Sequence, residues 1–102
     1  MKIGLVTVNL NQPDVTAKSA NFTLTQSCPD LRFVIVDNGS TSENFVRLEE
    51  GIRGLSVDLI RLDKPKSPGA AFNLGIKSLA DRCDFVLIQR AVNNSSLTRM
   101  ST

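Results

Sequence analysis

The sequence predicts a doubly wound α/β domain: a mostly parallel sheet of about four strands with helices on both faces. Three observations predict it. Four short apolar, β-branched runs are spaced along residues 3–89. The stretches between them carry helix start and stop residues. Three of the four runs are nearly unbroken, which is the pattern of strands covered on both faces rather than one. Strands that alternate with helices imply parallel pairing through right-handed crossovers.

The first run, Ile3 to Val8, begins almost at the first residue. Pro13 and Asp14 then suit a first helical turn, with Asn11 as its expected cap. This helix is expected to reach about Ser27 and stop before Pro29, because a proline disfavours helical geometry in the residue before it. The second run is Phe33 to Val36. Thr41 or Ser42 suits the cap of the next helix, whose Phe45, Leu48 and Ile52 recur at helical spacing. Gly51 and Gly54 mark its end. The third run, Val57 to Leu62, is broken by Asp58 and Arg61, as at a sheet edge. Pro68 opens a third helix, in which Phe72, Ile76 and Leu79 share a face. Lys77 and Arg82 lie toward its C-terminus, where cations complement the helix dipole. Gly75 inside that helix costs helix stability and is expected to permit close packing on the sheet. The fourth run is Phe85 to Ile88. The expected strand order is 3-2-1-4, with a ligand crevice between the first and fourth strands. Residues 1–89 make one domain, and the polar stretch 90–102 reads as a frayed or disordered tail.

Composition narrows the chemistry. The 102 residues hold twelve Lys and Arg against ten Asp and Glu, a net charge of +2 that gives no electrostatic reason for a nucleic-acid partner. There is no His, so Ser-His-Asp and Cys-His catalysis are excluded within the chain. Two cysteines, Cys28 and Cys83, cannot form a four-thiolate zinc site. They read as reduced core thiols of a cytoplasmic protein. No run approaches the ~20 apolar residues of a membrane span.

In an open parallel sheet the informative residues follow the strands. They are Asn9, Leu10 and Asn11; then Asp37, Asn38, Gly39, Ser40 and Thr41; then Lys64 and Lys66; then Gln89 and Arg90. Asp37, at the end of a buried run, suits either of two roles. It can accept hydrogen bonds from a ligand, or it can cap the turn and the helix that follow. Lys64 and Lys66 can neutralise a phosphate or simply be solvated. Asn73 can contact a ligand or tie down a loop. No P-loop or dinucleotide fingerprint is present.

Three stretches resemble family 2 glycosyltransferases of the GT-A fold. Val6-Thr7-Val8-Asn9-Leu10-Asn11 is similar to the family's opening V-x-V-N-Y-N strand. The stretch from Gln26 to Thr41, ending Val36-Asp37-Asn38-Gly39-Ser40-Thr41, resembles Q-T-x-P-x-x-E-V-I-V-V-D-N-G-S-T. Pro68-Gly69-Ala70-Ala71-Phe72-Asn73-Leu74-Gly75-Ile76 resembles P-G-A-A-R-N-x-G-I. The three occur in the family's order and cover roughly residues 3 to 89. The resemblance implies the donor half of a sugar transferase that binds a nucleotide-diphosphate sugar of UDP, GDP or dTDP type. Carried over by position, Val8 and Leu10 line the base pocket and Asp37 hydrogen-bonds the base. The donor site takes in Asn11, Asn38, Lys64 and Asn73 as well. Leu10 stands where the family usually has a stacking Tyr, and Phe72 where an Arg is common.

The resemblance stops near Gln89. There the family places an acidic D-x-D motif that holds Mg²⁺ or Mn²⁺ between the donor phosphates. This chain reads Arg90-Ala91-Val92, and no Asp or Glu follows Asp84. A divalent metal, a catalytic base and the acceptor half are therefore not expected here. Arg90 as a fixed cation replacing the metal is one alternative. Little or no transfer is expected from this chain alone. The alternatives are a non-catalytic nucleotide-binding module, an interaction module that pairs with a separate chain or with itself through a sheet edge, and an unrelated flavodoxin-like domain.

Overall fold

The computed structural model describes residues 2–25 and 30–90. The expected end of the first helix at Ser27, the environment of Cys28 and the stretch 91–102 lie outside them. The element order is β1 (Ile3–Asn9), α1 (Pro13–Thr25), β2 (Leu31–Asp37), α2 (Ser42–Gly51), β3 (Val57–Arg61), α3 (Pro68–Leu79) and β4 (Phe85–Arg90). The four strands form one all-parallel sheet in the order β3-β2-β1-β4. This is the Rossmann-like α/β architecture that the alternating runs predict. β4 continues through Arg90, which pairs with Val8, so Arg90 closes the strand rather than opening a tail. The ladder to β1 carries the strand past the point where its apolar run ends.

Chain direction decides where the helices go. The steps from β1 to β2 and from β2 to β3 move the same way across the sheet, so right-handed crossovers put α1 and α2 on one face. The step from β3 back to β4 reverses, and α3 falls on the other face. Two cores result. Leu5, Phe33 and Ile35 pack with Ala20, Leu48 and Ile52 under α1 and α2. Val6, Val34 and Val36 pack with Ala71 and Leu79 under α3. Odd and even strand positions thus serve opposite cores, which is why β1 and β2 read as continuous apolar runs. Each large side chain buried this way contributes roughly 1.5–3 kcal/mol.

The helix starts follow capping chemistry. The Thr41 hydroxyl accepts from Asn44 N at 3.3 Å and the Ser67 hydroxyl accepts from Ala70 N at 3.3 Å, with Pro68 in the first turn of α3. Asn11 departs from its expected role as the cap of α1. Its backbone lies in the left-handed region at φ 52°, and its side-chain carbonyl accepts from Thr41 N at 2.9 Å and Asn44 Nδ2 at 3.0 Å. It fastens the start of α2, not of α1. Gly75 behaves as its place in α3 predicts. A Cβ there would collide with Val6 Cγ1 and lie 3.1 Å from Val36 Cγ2, so the helix rests directly on the sheet. β3 is an edge strand, with Asp58 and Arg61 exposed and the Arg61 guanidinium 4.2 Å from the centre of the Phe45 ring.

Candidate functional site

The carboxyl ends of all four strands lie at one end of the sheet, and the loops that leave β1, β2 and β3 are knitted together. β1 and β2 finish on the paired residues Asn9 and Asp37. The Asp37 side chain is 0% exposed. Its Oδ1 accepts from Asn9 Nδ2 at 2.8 Å and from Ser40 Oγ at 2.6 Å, and its Oδ2 accepts from Ser40 N at 3.2 Å. Asn9 in turn accepts from Thr16 Oγ1 at 2.5 Å, which ties the strand end to α1. Ser40 Oγ accepts from Asn11 N at 2.8 Å. The carboxylate is thus the hub of a closed polar cluster. Of the two roles open to Asp37, the internal one is filled here by Asn9 and Ser40.

Asn38 performs the same service for the next loop. Its Oδ1 accepts from Lys66 N at 2.8 Å and its Nδ2 donates to Lys66 O at 2.9 Å. Gly39, at φ 79°, lets the turn lie flat against that loop. A Cβ on Gly39 would sit 2.5 Å from Pro65 N and 2.7 Å from Lys64 C. The loops after β1, β2 and β3 therefore form one rim whose shape is set by buried amides and a carboxylate.

The structure brings together Asn11, Asp37 and Asn38 in this rim. Val8 is half-buried and packs with the α3 core. Leu10 stands at the end of β1 with 44% of its surface exposed. Lys64 is exposed on the loop after β3, and Asn73 is exposed on α3. No hydrogen bond draws either of those two into the cluster among the described residues. Asn9 and Ser40 are among the residues that follow the strands, whereas Thr16 is a member that a reading of strand ends alone does not single out. Its signal is positional: it lies on α1 seven residues after Asn9, the last residue of a buried strand.

The end of β4 has its own arrangement. Gln89 is buried, accepts from Thr7 Oγ1 at 3.2 Å and donates from Nε2 to Thr23 Oγ1 at 3.1 Å. An uncharged, internally bonded amide thus stands one residue before the end of β4. Among the described residues no three His, Cys, Asp or Glu side chains gather in a way that could hold a metal ion. Cys83 is a free, half-buried thiol packed near Gly4 in the α3 core. No described helix is long and apolar enough to cross a membrane.

A cleft of about 410 Å³ opens at the opposite end, beside the amino ends of β2 and β3. Lys2, Arg32, Leu55 and Asp58 are among its walls. It lies away from the strand ends at which ligands of open parallel sheets bind. No protein-family model matches this chain, and no curated protein matches it.

Proposed function

We propose that this chain is the donor-binding half of a family 2 glycosyltransferase-like domain, holding a nucleoside diphosphate sugar at the carboxyl ends of β1 and β4. The observation that carries the reading is the strand order β3-β2-β1-β4. β1 is the strand whose two neighbours are reached over opposite faces. β1 thus stands between β2, reached by way of α1 on one face, and β4, reached by way of α3 on the other, the kind of topological switch point at which open parallel sheets bind ligands. The three sequence resemblances fall at β1, at the turn after β2 and at the start of α3, around that same end of the sheet.

Each residue then has a task. Val8 and Leu10 offer apolar surface to a base. Asn11 offers an amide at the rim. Lys64 offers a cation to the diphosphate, on a loop that Asn38 holds by the Lys66 backbone. Asn73 borders the site from α3. Asp37 serves by positioning, since its oxygens are engaged with Asn9 and Ser40. The buried Gln89 at the end of β4 favours binding without metal-assisted transfer, so the non-catalytic module is the form of this reading that the chain supports by itself.

Calorimetric titration with UDP, GDP and dTDP, with and without Mn²⁺, tests it. Metal-independent binding of one nucleotide is expected. Leu10→Lys alters an exposed position and should abolish that binding while the fold is retained. Absence of binding to all three, in a chain shown by circular dichroism to be folded, overturns the reading. Binding strengthened by Mn²⁺ overturns its metal-free form.

A further inference from the structure

Asn38 is the one asparagine of the chain that precedes a glycine. Glycine has no Cβ to shield its backbone nitrogen, so the carboxamide of the residue before it can approach closely. Among the described residues Gly39 N donates to no acceptor, so nothing competes for that nitrogen. The carboxamide, by contrast, is held at both its polar atoms. Oδ1 accepts from Lys66 N at 2.8 Å and Nδ2 donates to Lys66 O at 2.9 Å. Asn38 as a whole is 3% exposed. A reactive dipeptide is thus folded into the clasp that joins the turn after β2 to the loop after β3.

We propose that Asn38-Gly39 is a deamidation site that the clasp keeps closed and that converts when the rim opens. Gly39 N bonds to Asn38 Cγ, the Cγ–Nδ2 bond breaks, and the proton of Gly39 N leaves with the amide as ammonia. Water then adds to the five-membered imide and breaks one of its two C–N bonds. Cleavage at Cγ gives aspartate. Cleavage at the main-chain carbonyl gives isoaspartate, with the backbone running through the former side chain. The clasp opposes the first step, because a carboxamide tied at both atoms is not free to turn onto its own backbone. Burial opposes the second step by keeping water away.

Reclosing the rim does not reverse the change. An aspartate at position 38 still accepts from Lys66 N, but it sets an oxygen against Lys66 O where the donor stood. It also adds a negative charge next in sequence to the buried Asp37 carboxylate. Isoaspartate inserts a methylene into the main chain of a turn that already lies against the next loop, where a Cβ on Gly39 would be 2.5 Å from Pro65 N. Either product costs the loop that carries Lys64 and Lys66 part of its tether. An opening of the rim that ends in deamidation is therefore recorded covalently. The inference is independent of the nucleotide proposal.

Incubation of the full chain in mildly alkaline buffer, with and without denaturing urea, followed by mass spectrometry of its peptides, tests it. In urea Asn38 is expected to convert faster than any other asparagine. In native buffer its conversion should be slower by about tenfold or more, since only the opened rim reacts. Lys66→Pro removes the backbone donor to Asn38 Oδ1 and leaves the dipeptide intact. Folded by circular dichroism, this variant should convert several-fold faster than the parent chain in native buffer. The comparison of parent rates decides without it, should it fail to fold. Asn38→Asp, which carries one product from the start, should speed amide exchange at Lys66 several-fold. Equal rates in buffer and in urea overturn the proposal, as does an Asn38 that converts no faster than the other asparagines in urea. A folded Lys66→Pro that converts at the parent rate, or an Asn38→Asp with parent-like protection at Lys66, also overturns it.

Discussion

Asn9 and Asp37 occupy the last paired positions of β1 and β2, and the Asn9 amide donates to the Asp37 carboxylate at 2.8 Å with both side chains out of solvent. Removing that carboxylate takes the acceptor from Ser40 N and Ser40 Oγ and leaves Asn9 Nδ2 only its longer bond to Ser40 Oγ at 3.3 Å. A buried polar group that loses its partner costs about 1–3 kcal/mol, and more where the lost partner is charged. Asp37→Ala should therefore destabilise the fold by on the order of 3 kcal/mol in urea unfolding. A variant as stable as the parent chain would show that water or a rearranged loop satisfies the three groups.

The same relationship governs how the site is tested. Asp37→Ala would lose ligand binding through collapse of the rim, whether or not Asp37 meets a ligand. Lys64→Ala is the cleaner probe, since Lys64 is exposed and outside the buried cluster. If Lys64 faces the diphosphate, this variant should bind the nucleotide several-fold more weakly. The deficit should shrink as salt is raised, because exposed charge interactions are screened over about 10 Å at 0.1 M salt. Unchanged affinity at low salt would remove Lys64 from the site.

Much of this arrangement is legible along the chain. Continuous apolar runs mark β1, β2 and β4 as strands and charges inside Val57–Arg61 mark β3 as an edge, but the run in β4 misleads on cover, since β4 is the other edge and its Phe85, Leu87 and Ile88 are exposed. Asn11 is misread because Asn-x-Pro is a local helix-start pattern, whereas its actual partner, Thr41, lies thirty residues away. A carboxylate at a strand end reads alike whether it greets a ligand or a neighbouring loop, so Asp37 could be resolved only by finding Asn9 and Ser40 around it. Arg90 is taken for a tail residue because a charge ends the apolar run, yet pairing with Val8 extends the ladder regardless of side-chain polarity.

Gly39 should be the least replaceable glycine of the rim. Its φ of 79° already penalises an L side chain, and the Cβ would meet backbone atoms of Lys64 and Pro65 rather than a yielding side-chain tip. The conformational cost alone is about 1–2 kcal/mol. Gly39→Ala should also push the β3–α3 loop outward and break the Asn38–Lys66 pair of hydrogen bonds. Amide exchange at Lys66 should accelerate relative to a core amide such as that of Val34, and equal protection in both proteins would refute the coupling.

Gly75 presents the opposing balance. Alanine in a helix interior gains about 1 kcal/mol over glycine, while forcing a methyl into a packed core costs about 1–3 kcal/mol. The clash with Val6 is with a β-branched side chain inside a strand, which has little room to turn. Gly75→Ala should therefore be destabilising on balance. Gly75→Ala combined with Val6→Ala should recover part of the loss, through a coupling that neither single substitution explains. Additive effects in that double-mutant cycle would mean that the helix simply shifts.

Ser19 points the other way. Its hydroxyl is buried on the inner face of α1 and is the one described buried side-chain polar atom without a hydrogen-bond partner. It lies between Thr16, which serves Asn9, and Thr23, which serves Gln89. Ser19→Ala removes an unpaired polar group, keeps nearly the same volume and improves helix propensity. The expected gain is about 1 kcal/mol, from relieving the buried hydroxyl and from the better helix former. Thermal unfolding of the single variant decides the matter: a lowered midpoint would mean that the hydroxyl is bonded in solution, through a water or a shifted rotamer, and that the polar seam beneath α1 runs unbroken from Asn9 to Gln89.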